Sequence, residues 1–387
     1  QPLAAAAGRV LAADLVSPID VPAHDNSAMD GWAFDGAALR PGESLTLRVV
    51  GQALAGAAFG GPVGAGEAVR IMTGAVMPAG ADTVLPLELG AAGDAGEVVV
   101  PPGAVRRGEH RRRRGEDLAQ GQPALGAGRV LRPADLGLAA SLGLSTLPLR
   151  RRLRVALFST GDEIVEPGQP LPAGGVYDSN RTTLAATMQR LGLEVLDLGL
   201  ARDDPQALDA LLARALREAD AVVTSGGVSM GDADHTRDVL ARHGEIAFWK
   251  VAMRPGRPFA FGPLRRPDGG RSWLFALPGN PVAALVTFLA LVREPLLVLA
   301  GAQASQLPLL TVPAAEAIRK RPGRTEFQRG LLERDAAGGW CVRPFAQQGA
   351  GILRSMSQAD ALIVLEHERG SVAAGEPVAV WLFDGLV

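Results

Sequence analysis

Four short segments carry residue types that could build a phosphate site. Gly161-Asp162-Glu163 places two adjacent carboxylates directly after an apolar run, Val155–Thr160. Paired acids at that point suit a divalent cation such as Mg²⁺, which binds one or two carboxylates and fills its shell with water and phosphate oxygens. A turn of solvated acids would read the same way. A second apolar run, Ala221–Thr224, is followed by Ser225-Gly226-Gly227-Val228-Ser229-Met230-Gly231-Asp232-Ala233-Asp234. Glycines after a buried strand let backbone N–H groups converge on an anion as a helix begins. The segment lacks the Gly-Lys-Thr ending of a P-loop and is no dinucleotide fingerprint. Asp232 and Asp234 would repel a phosphate unless a metal bridges them, so Asp162, Glu163, Asp232 and Asp234 are the candidate Mg²⁺ ligands. A helix-capping loop is the alternative.

Arg254-Pro255-Gly256-Arg257-Pro258 sets two guanidinium groups on a proline-rich turn, and such forks grip oxyanions bidentately. As a lone segment it also fits a surface turn. Leu277-Pro278-Gly279-Asn280-Pro281 again follows an apolar run and opens a helix, so its backbone could face the same ligand or form a tight turn.

The elements that must position these segments alternate in type. Val155–Thr160, Glu194–Leu198, Ala221–Thr224, Ile246–Val251 and Trp273–Leu277 read as strands. Thr183–Leu191, a segment opened by Asp204-Pro205, His235–His243 and Pro281–Val292 read as helices. Alternation of this kind predicts a doubly wound parallel sheet with ligands beyond the strands' carboxyl ends. Before it, Ser44–Val50, Ala68–Met72, Thr83–Glu88 and Glu97–Val100 read as short strands, while the first 20 residues and Arg132–Leu142 read as helical. Short strands return after Leu309. The expected fold class is therefore α/β plus β: a helical linker domain (1–20 and 118–152), an inserted β-rich domain (21–117), a central α/β domain (153–302) and a C-terminal β domain (303–387).

Composition excludes several classes. The 387 residues carry 39 Lys+Arg against 41 Asp+Glu, a net charge of −2, so no global attraction to nucleic acid or an acidic membrane exists. Arg106–Arg114 is arginine-rich but lacks interleaved aromatics and runs straight into Glu116-Asp117. The one cysteine, Cys341, precludes an internal disulfide or a cysteine-based metal centre, and the five histidines show no HExxH spacing. No histidine lies in a telling context for a serine nucleophile, which argues against acyl chemistry. The apolar stretch Pro281–Ala300 is interrupted by Arg293, Glu294 and Pro295, against a membrane span. The chain opens without the charged and apolar regions of a signal peptide, and its start at Gln1 suggests a lost leading segment; the cytoplasm is the expected compartment. Residues alone point to a Mg²⁺-dependent enzyme acting on a phosphorylated ligand.

Nine segments in register resemble the MoeA family of molybdopterin molybdenumtransferases, related to the gephyrin and Cnx1 E domains. They are Asp25–Gly31, Arg70–Ala75, Arg114–Asp117, Ser159–Glu163, Tyr177–Asn180, Thr224–Gly231, Arg254–Pro258, Leu277–Pro281 and Gln328-Arg329-Gly330. The resemblance implies a homodimer of four-domain subunits whose central domain binds molybdopterin. It implies a reaction joining molybdate to the dithiolene of adenylated molybdopterin, with Mg²⁺-dependent release of AMP. It places functional positions at Asp30, Thr73, Asp117, Glu163, Asp232 and Asp234, the first three supplied by the opposite subunit or domain. Ser225, Gly226 and Gly227 would take the ligand phosphates, and Arg254, Arg257 and Arg329 the oxyanion and terminal phosphate, with Pro278 and Pro281 also at family positions. Arg254 and Arg257 stand where the family has Lys, a change in keeping with a chain that has two lysines, Lys250 and Lys320. Ala350 stands where the family carries Ser, leaving Ser355 or Ser357 to supply a hydroxyl; Ser355 is taken as substrate-binding. The pterin adenylyltransferase, MogA-like, is the implied handover partner. A CinA-like Mg²⁺-dependent nucleotide pyrophosphatase and a non-catalytic pterin-binding scaffold are the rival readings.

Overall fold

The computed structural model describes residues 1–202, 204–227, 234–304 and 306–383. The chain forms two compact units, one of residues 1–7, 13–127 and 131–148, the other of residues 8–12, 128–130 and 149–387. In the first, Gly31–Phe34, Leu45–Ala53, Glu67–Ile71, Thr83–Pro86, Ala91–Ala92 and Glu97–Val100 form one six-stranded sheet. Apolar residues are buried on both faces, around Val69 and Ile71 on one and Phe34 and Leu85 on the other. Gly31–Phe34 escapes a sequence reading because it begins inside a polar turn. Helix α1, Pro133–Ser141, lies where expected, with Asp135 accepting the Arg132 N–H in a capping arrangement. The first 20 residues are not helical beyond a single 3₁₀ turn at Leu3–Ala5. Pro2, Gly8 and Pro18 interrupt the alanine-rich run, and its backbone pairs with distant segments instead, as in Leu15–Val16 against Pro123–Leu125.

The second unit is built on a six-stranded sheet. Its strands are β1 (Arg154–Thr160), β2 (Glu194–Ala201), β3 (Ala221–Ser225), β4 (Ala247–Lys250), β5 (Pro258–Arg265) and β6 (Arg271–Leu277). The spatial order is β2-β1-β3-β6-β5-β4, parallel across the first four and antiparallel at β5 and β4. The all-parallel expectation fails at that edge because the β5–β6 connection is a hairpin turn at Arg266–Gly270, too short for a parallel crossover. β5 itself is obscured in the sequence by Pro258, Gly262 and Pro263.

Helices α2 (Ser179–Arg190), α5 (Pro281–Thr287) and α6 (Arg293–Leu299) pack on one face, and α3 (Pro205–Glu218) and α4 (Asp234–His243) belong to the other. Asp204 caps α3 by accepting from the Gln206 and Ala207 N–H groups. Between α5 and α6 the helix widens into a π turn at Phe288–Val292. Pro295 lacks an N–H and its ring crowds the carbonyl four residues back, and the wider turn absorbs that misfit. The run Pro281–Leu299 is long and apolar enough to cross a membrane by composition, yet Val282, Leu285, Phe288, Val292 and Leu296 are all core residues.

β7 (Leu310–Pro313), β8 (Thr325–Arg334), β9 (Trp340–Pro344), β10 (Ala361–Leu365) and β11 (Pro377–Leu382) form the C-terminal sheet, with the short helix α7 (Arg354–Gln358) beside it. Phe327, Met356, Leu362 and Phe383 join the same apolar cluster as α5 and β6. That continuous core fixes the C-terminal sheet against the carboxyl ends of the central strands.

Candidate functional site

Strand β1 is followed through α2 to β2 on one side, and β3 lies parallel to it on the other, so the strand order reverses between β1 and β3. Such a switch point leaves a crevice beyond the strand ends. Ser159, Thr160 and Gly161 reach it from β1, and Ser225, Gly226 and Gly227 from β3, lining a cavity of about 1090 Å³. Gly226 makes the join possible. Its φ is +90°, its N–H donates to the Leu277 carbonyl at 3.1 Å, and a Cβ there would lie 2.5 Å from the Thr160 carbonyl oxygen.

Helix α2 starts at the same crevice. Asp178 caps it, accepting from the Arg181 N–H at 3.0 Å and from the Ser159 hydroxyl at 3.1 Å. Arg181 is also bound by Asp197 and Glu166, carboxylates that raise its pKa against the opposing effect of burial. Asn180, on the first turn, donates to the Ser225 hydroxyl and the Gly279 carbonyl, both at 2.7 Å. It thereby ties the glycine loop to the Pro278–Pro281 turn. No single residue type marked it; its signal was membership of the Tyr177–Asn180 segment. Asn180 Oδ1 and Thr160 Oγ1 are buried without a hydrogen-bond partner, and both residues line the cavity. Buried polar atoms cost free energy unless paired, so these two are oxygens that the described residues leave unsatisfied beside the cavity.

The arginine turn is held from two sides. Met253–Arg254 pairs in parallel with Thr325–Glu326 at the start of β8. Gly256, at φ +97°, presses on α5 so closely that a Cβ would meet Thr287 Oγ1 at 2.1 Å. Arg254 and Arg257 project exposed side chains on this cavity wall; Arg254 has a loose contact at 3.7 Å with Glu326, and Arg257 has no ion pair among the described residues.

Arg329, on β8, lines an adjoining cavity of about 380 Å³ that shares Arg254, Pro255 and Gln348 with the first. It is 1% exposed. Its Nε donates to Ser355 Oγ at 2.9 Å and its Nη2 to the Gln347 and Gly349 carbonyls, each at 3.1 Å. Gln348 clamps its backbone, accepting from the N–H and donating to the carbonyl. No carboxylate pairs with it among the described residues. Burial, and then the nearby Arg254, hold its pKa down at about 10. A guanidinium still keeps its proton at neutral pH, so this buried charge is stabilised best by an anion from outside the chain.

The expected residues therefore sort clearly. Glu163, Ser225, Gly226, Gly227, Arg254, Arg257, Pro278 and Pro281 line one cavity, together with Ala350, whose carbonyl accepts from the Val282 N–H at 3.0 Å. Arg329 lines the adjoining one. Ser355 is fully buried, with its hydroxyl shared between Arg329 and the Ile352 carbonyl; it braces the guanidinium and lines neither cavity. Asp162 is exposed and does not line the cavity either. Asp232 and the side chain of Asp234 lie outside the described residues.

Magnesium fits the donor set. Glu163 is a cavity-lining carboxylate with no side-chain partner among the described residues, and Thr160 Oγ1 is an unpaired oxygen on the same wall. No group of three acidic, histidine or cysteine ligands exists among the described residues. One carboxylate plus substrate phosphates and water is enough for this ion, which rarely uses an all-protein cage.

In the first unit, Asp25–Asp30 is threaded between the Thr73–Val76 and His110–Arg114 segments. Asp30 accepts from the Thr73 N–H at 2.6 Å and from its hydroxyl at 2.7 Å, so two residues 43 apart form one exposed pair. These bonds, the backbone one first, hold the Asp30 carboxyl below its usual range. Asp117 is exposed, with its backbone bound to Val21. Because the Asp30 pKa is depressed, its contribution is present above the ordinary carboxylate pKa and lost as pH falls through the lowered value. Thr73→Val removes the hydroxyl and keeps the N–H, so the Asp30 pKa is expected to rise part-way toward normal. Carboxyl-carbon NMR titration checks this, and an unchanged value would contradict the pairing.

Residues 1–143 match the MoeA N-terminal region (domain I and II), 156–298 the probable molybdopterin binding domain, and 311–383 the MoeA C-terminal region (domain IV). The chain is 41% identical to the molybdopterin molybdenumtransferase of Haemophilus influenzae, over 99% of this chain and 93% of that one. It belongs to the MoeA family. It is accordingly a transferase with a role in molybdenum cofactor biosynthesis. A second MoeA-family relative, the molybdopterin molybdenumtransferase of Synechococcus elongatus, is 37% identical over 98% of this chain and 93% of that one. Two crystal structures of the MoeA protein of molybdopterin biosynthesis from Pyrococcus horikoshii share the fold. At 31% and 27% identity they superpose with TM-scores of 0.74 and 0.82, each covering 99% of this chain and 93% of the other.

Proposed function

We propose that this chain is a molybdenum insertase, which joins molybdate to the dithiolene of adenylated molybdopterin with Mg²⁺-dependent release of AMP. The observation that carries the reading is Arg329, a buried cation with no carboxylate partner among the described residues, in a cavity that adjoins the one lined by the glycine loop. A tetrahedral oxyanion supplies the missing negative charge, and the glycine loop supplies backbone donors for the phosphates of the second substrate.

In this reading Ser225, Gly226 and Gly227 hold the pyrophosphate, and Asn180 fixes the loop through Ser225. Arg254 and Arg257 bind the terminal phosphate and the approaching oxyanion, and Arg329 fixes the oxyanion opposite. Glu163 would hold Mg²⁺, which when bound offsets pyrophosphate charge and makes the adenylate phosphorus more open to attack. Holding both reactants in one crevice replaces an encounter in solution with an oriented reaction. The same reading takes the protein to be a cytoplasmic homodimer that receives its pterin from the adenylyltransferase.

Glu163→Ala tests the assignment. The variant is expected to bind adenylated molybdopterin within a few-fold of the wild type, because the loop and arginines are intact. AMP release should fall by roughly 100-fold or more, the scale on which removing one electrostatic or acid–base group acts. Full activity in the variant would remove Glu163 from the chemistry.

A further inference from the structure

The C-terminal sheet carries another cavity, of about 560 Å³, that borders the site above and shares Arg254 with it. Arg254, Arg319, Lys320, Arg321, Arg324 and Glu326 line it, so five cations face one carboxylate. Glu326 is already engaged, being buried with Arg254 at 3.7 Å and Gln328 Nε2 at 3.2 Å. Lys320 is buried, and its Nζ donates to the carbonyls of Arg321, His367 and Arg369 at 3.4, 3.2 and 2.6 Å. It therefore fixes a positive charge in the wall and has no donor left over. Arg319, Arg321 and Arg324 are exposed and have no ion pair among the described residues, so their forks are free to bind. Charges of one sign gathered around a concavity repel one another and focus their field on it, which favours a multiply charged anion.

Arg254 lines this cavity, the Arg329 cavity and the glycine-loop cavity alike, and Arg319 and Glu326 line both this cavity and the Arg329 cavity. Arg321 and Arg324 line this one and neither of the others. We propose that it is a second anion site, adjoining the Arg329 pocket and set apart from it by Arg321 and Arg324, which takes a tetrahedral dianion. Arg319, Arg321 and Arg324 grip the oxygens, and Lys320 supplies the underlying field. A free inorganic oxyanion and the phosphate of a nucleotide monoester share that chemistry.

Equilibrium dialysis of the full chain against molybdate tests the proposal, with no need for turnover, so it stands or falls apart from the insertase reaction. The wild type is expected to bind two molybdate ions per chain. Arg321→Ala/Arg324→Ala should weaken one site by tenfold or more and leave the other unchanged, while Arg329→Met should do the converse. AMP added as competitor separates the sources: displacement from the Arg321/Arg324-dependent site assigns it to a nucleotide phosphate, and no displacement assigns it to the inorganic ion. One molybdate per chain, abolished by Arg329→Met, would overturn the proposal. So would two ions retained at full affinity in a folded Arg321→Ala/Arg324→Ala variant, its fold verified by circular dichroism.

Discussion

Arg329→Met is expected to weaken molybdate binding at the cavity beside the glycine loop by roughly 30- to 4,000-fold. Truncating one member of a buried, hydrogen-bonded charge pair costs about 2–5 kcal/mol, and each 1.4 kcal/mol is tenfold in affinity. The same substitution should move thermal stability far less. It removes a buried charge that has no carboxylate partner among the described residues, which is favourable, and it strands the Gln347 and Gly349 carbonyls, which is not. Ser355→Ala is expected to give a smaller loss, about 3- to 10-fold, since it removes one bond to Nε and leaves the guanidinium in place. Titrating the single and double variants with molybdate separates the roles. If Ser355 acts by positioning Arg329, adding Ser355→Ala to Arg329→Met costs little more. Additive losses would mean that Ser355 touches the ligand itself.

Gly226→Ala is expected to disable the second half of the site. A non-glycine residue at φ +90° carries backbone strain of roughly 1–3 kcal/mol. The added methyl must also move away from the Thr160 carbonyl, which a Cβ would approach to 2.5 Å. That carbonyl belongs to β1, so relief separates the two strand ends whose donors and hydroxyls line the crevice. The melting temperature should fall by several degrees, and affinity for adenylated molybdopterin by 10-fold or more. Gly279→Ala is the control for strain, for its nearest neighbour is 4.0 Å away, and it should leave the melting temperature unchanged. Equal behaviour of the two variants would show that the close approach at Gly226 does not shape the site.

How far the sequence reveals this arrangement depends on whether a residue's role is local. Strands β1, β3 and β6 are legible because a strand buried on both faces must be apolar throughout. The glycine loop, the arginine turn and the Pro278–Pro281 turn are legible because each follows such a strand directly. β5 is hidden because Pro258, Gly262 and Pro263 are strand-weakening residues; Pro258 opens the strand and Pro263 lies beyond the residues that pair with β4. The first 20 residues misled because alanine and leucine favour a helix locally, while pairing with residues 118–149 decides the backbone. Ser355 was legible as a hydroxyl near the arginine site, yet its burial behind Arg329 comes from packing between α7 and β8, which no spacing encodes. The Asp30–Thr73 pair and the Asn180 tether likewise join positions far apart in the chain.

The central claim is that oxyanion capture and adenylate cleavage belong to one site. A single-turnover assay with purified protein, adenylated molybdopterin and Mg²⁺ measures it most directly, following AMP with and without molybdate. The account predicts that molybdate triggers release of one AMP per pterin, and that both Glu163→Ala and Arg329→Met suppress it while pterin remains bound. Tight pterin binding with no AMP at any molybdate concentration would contradict it.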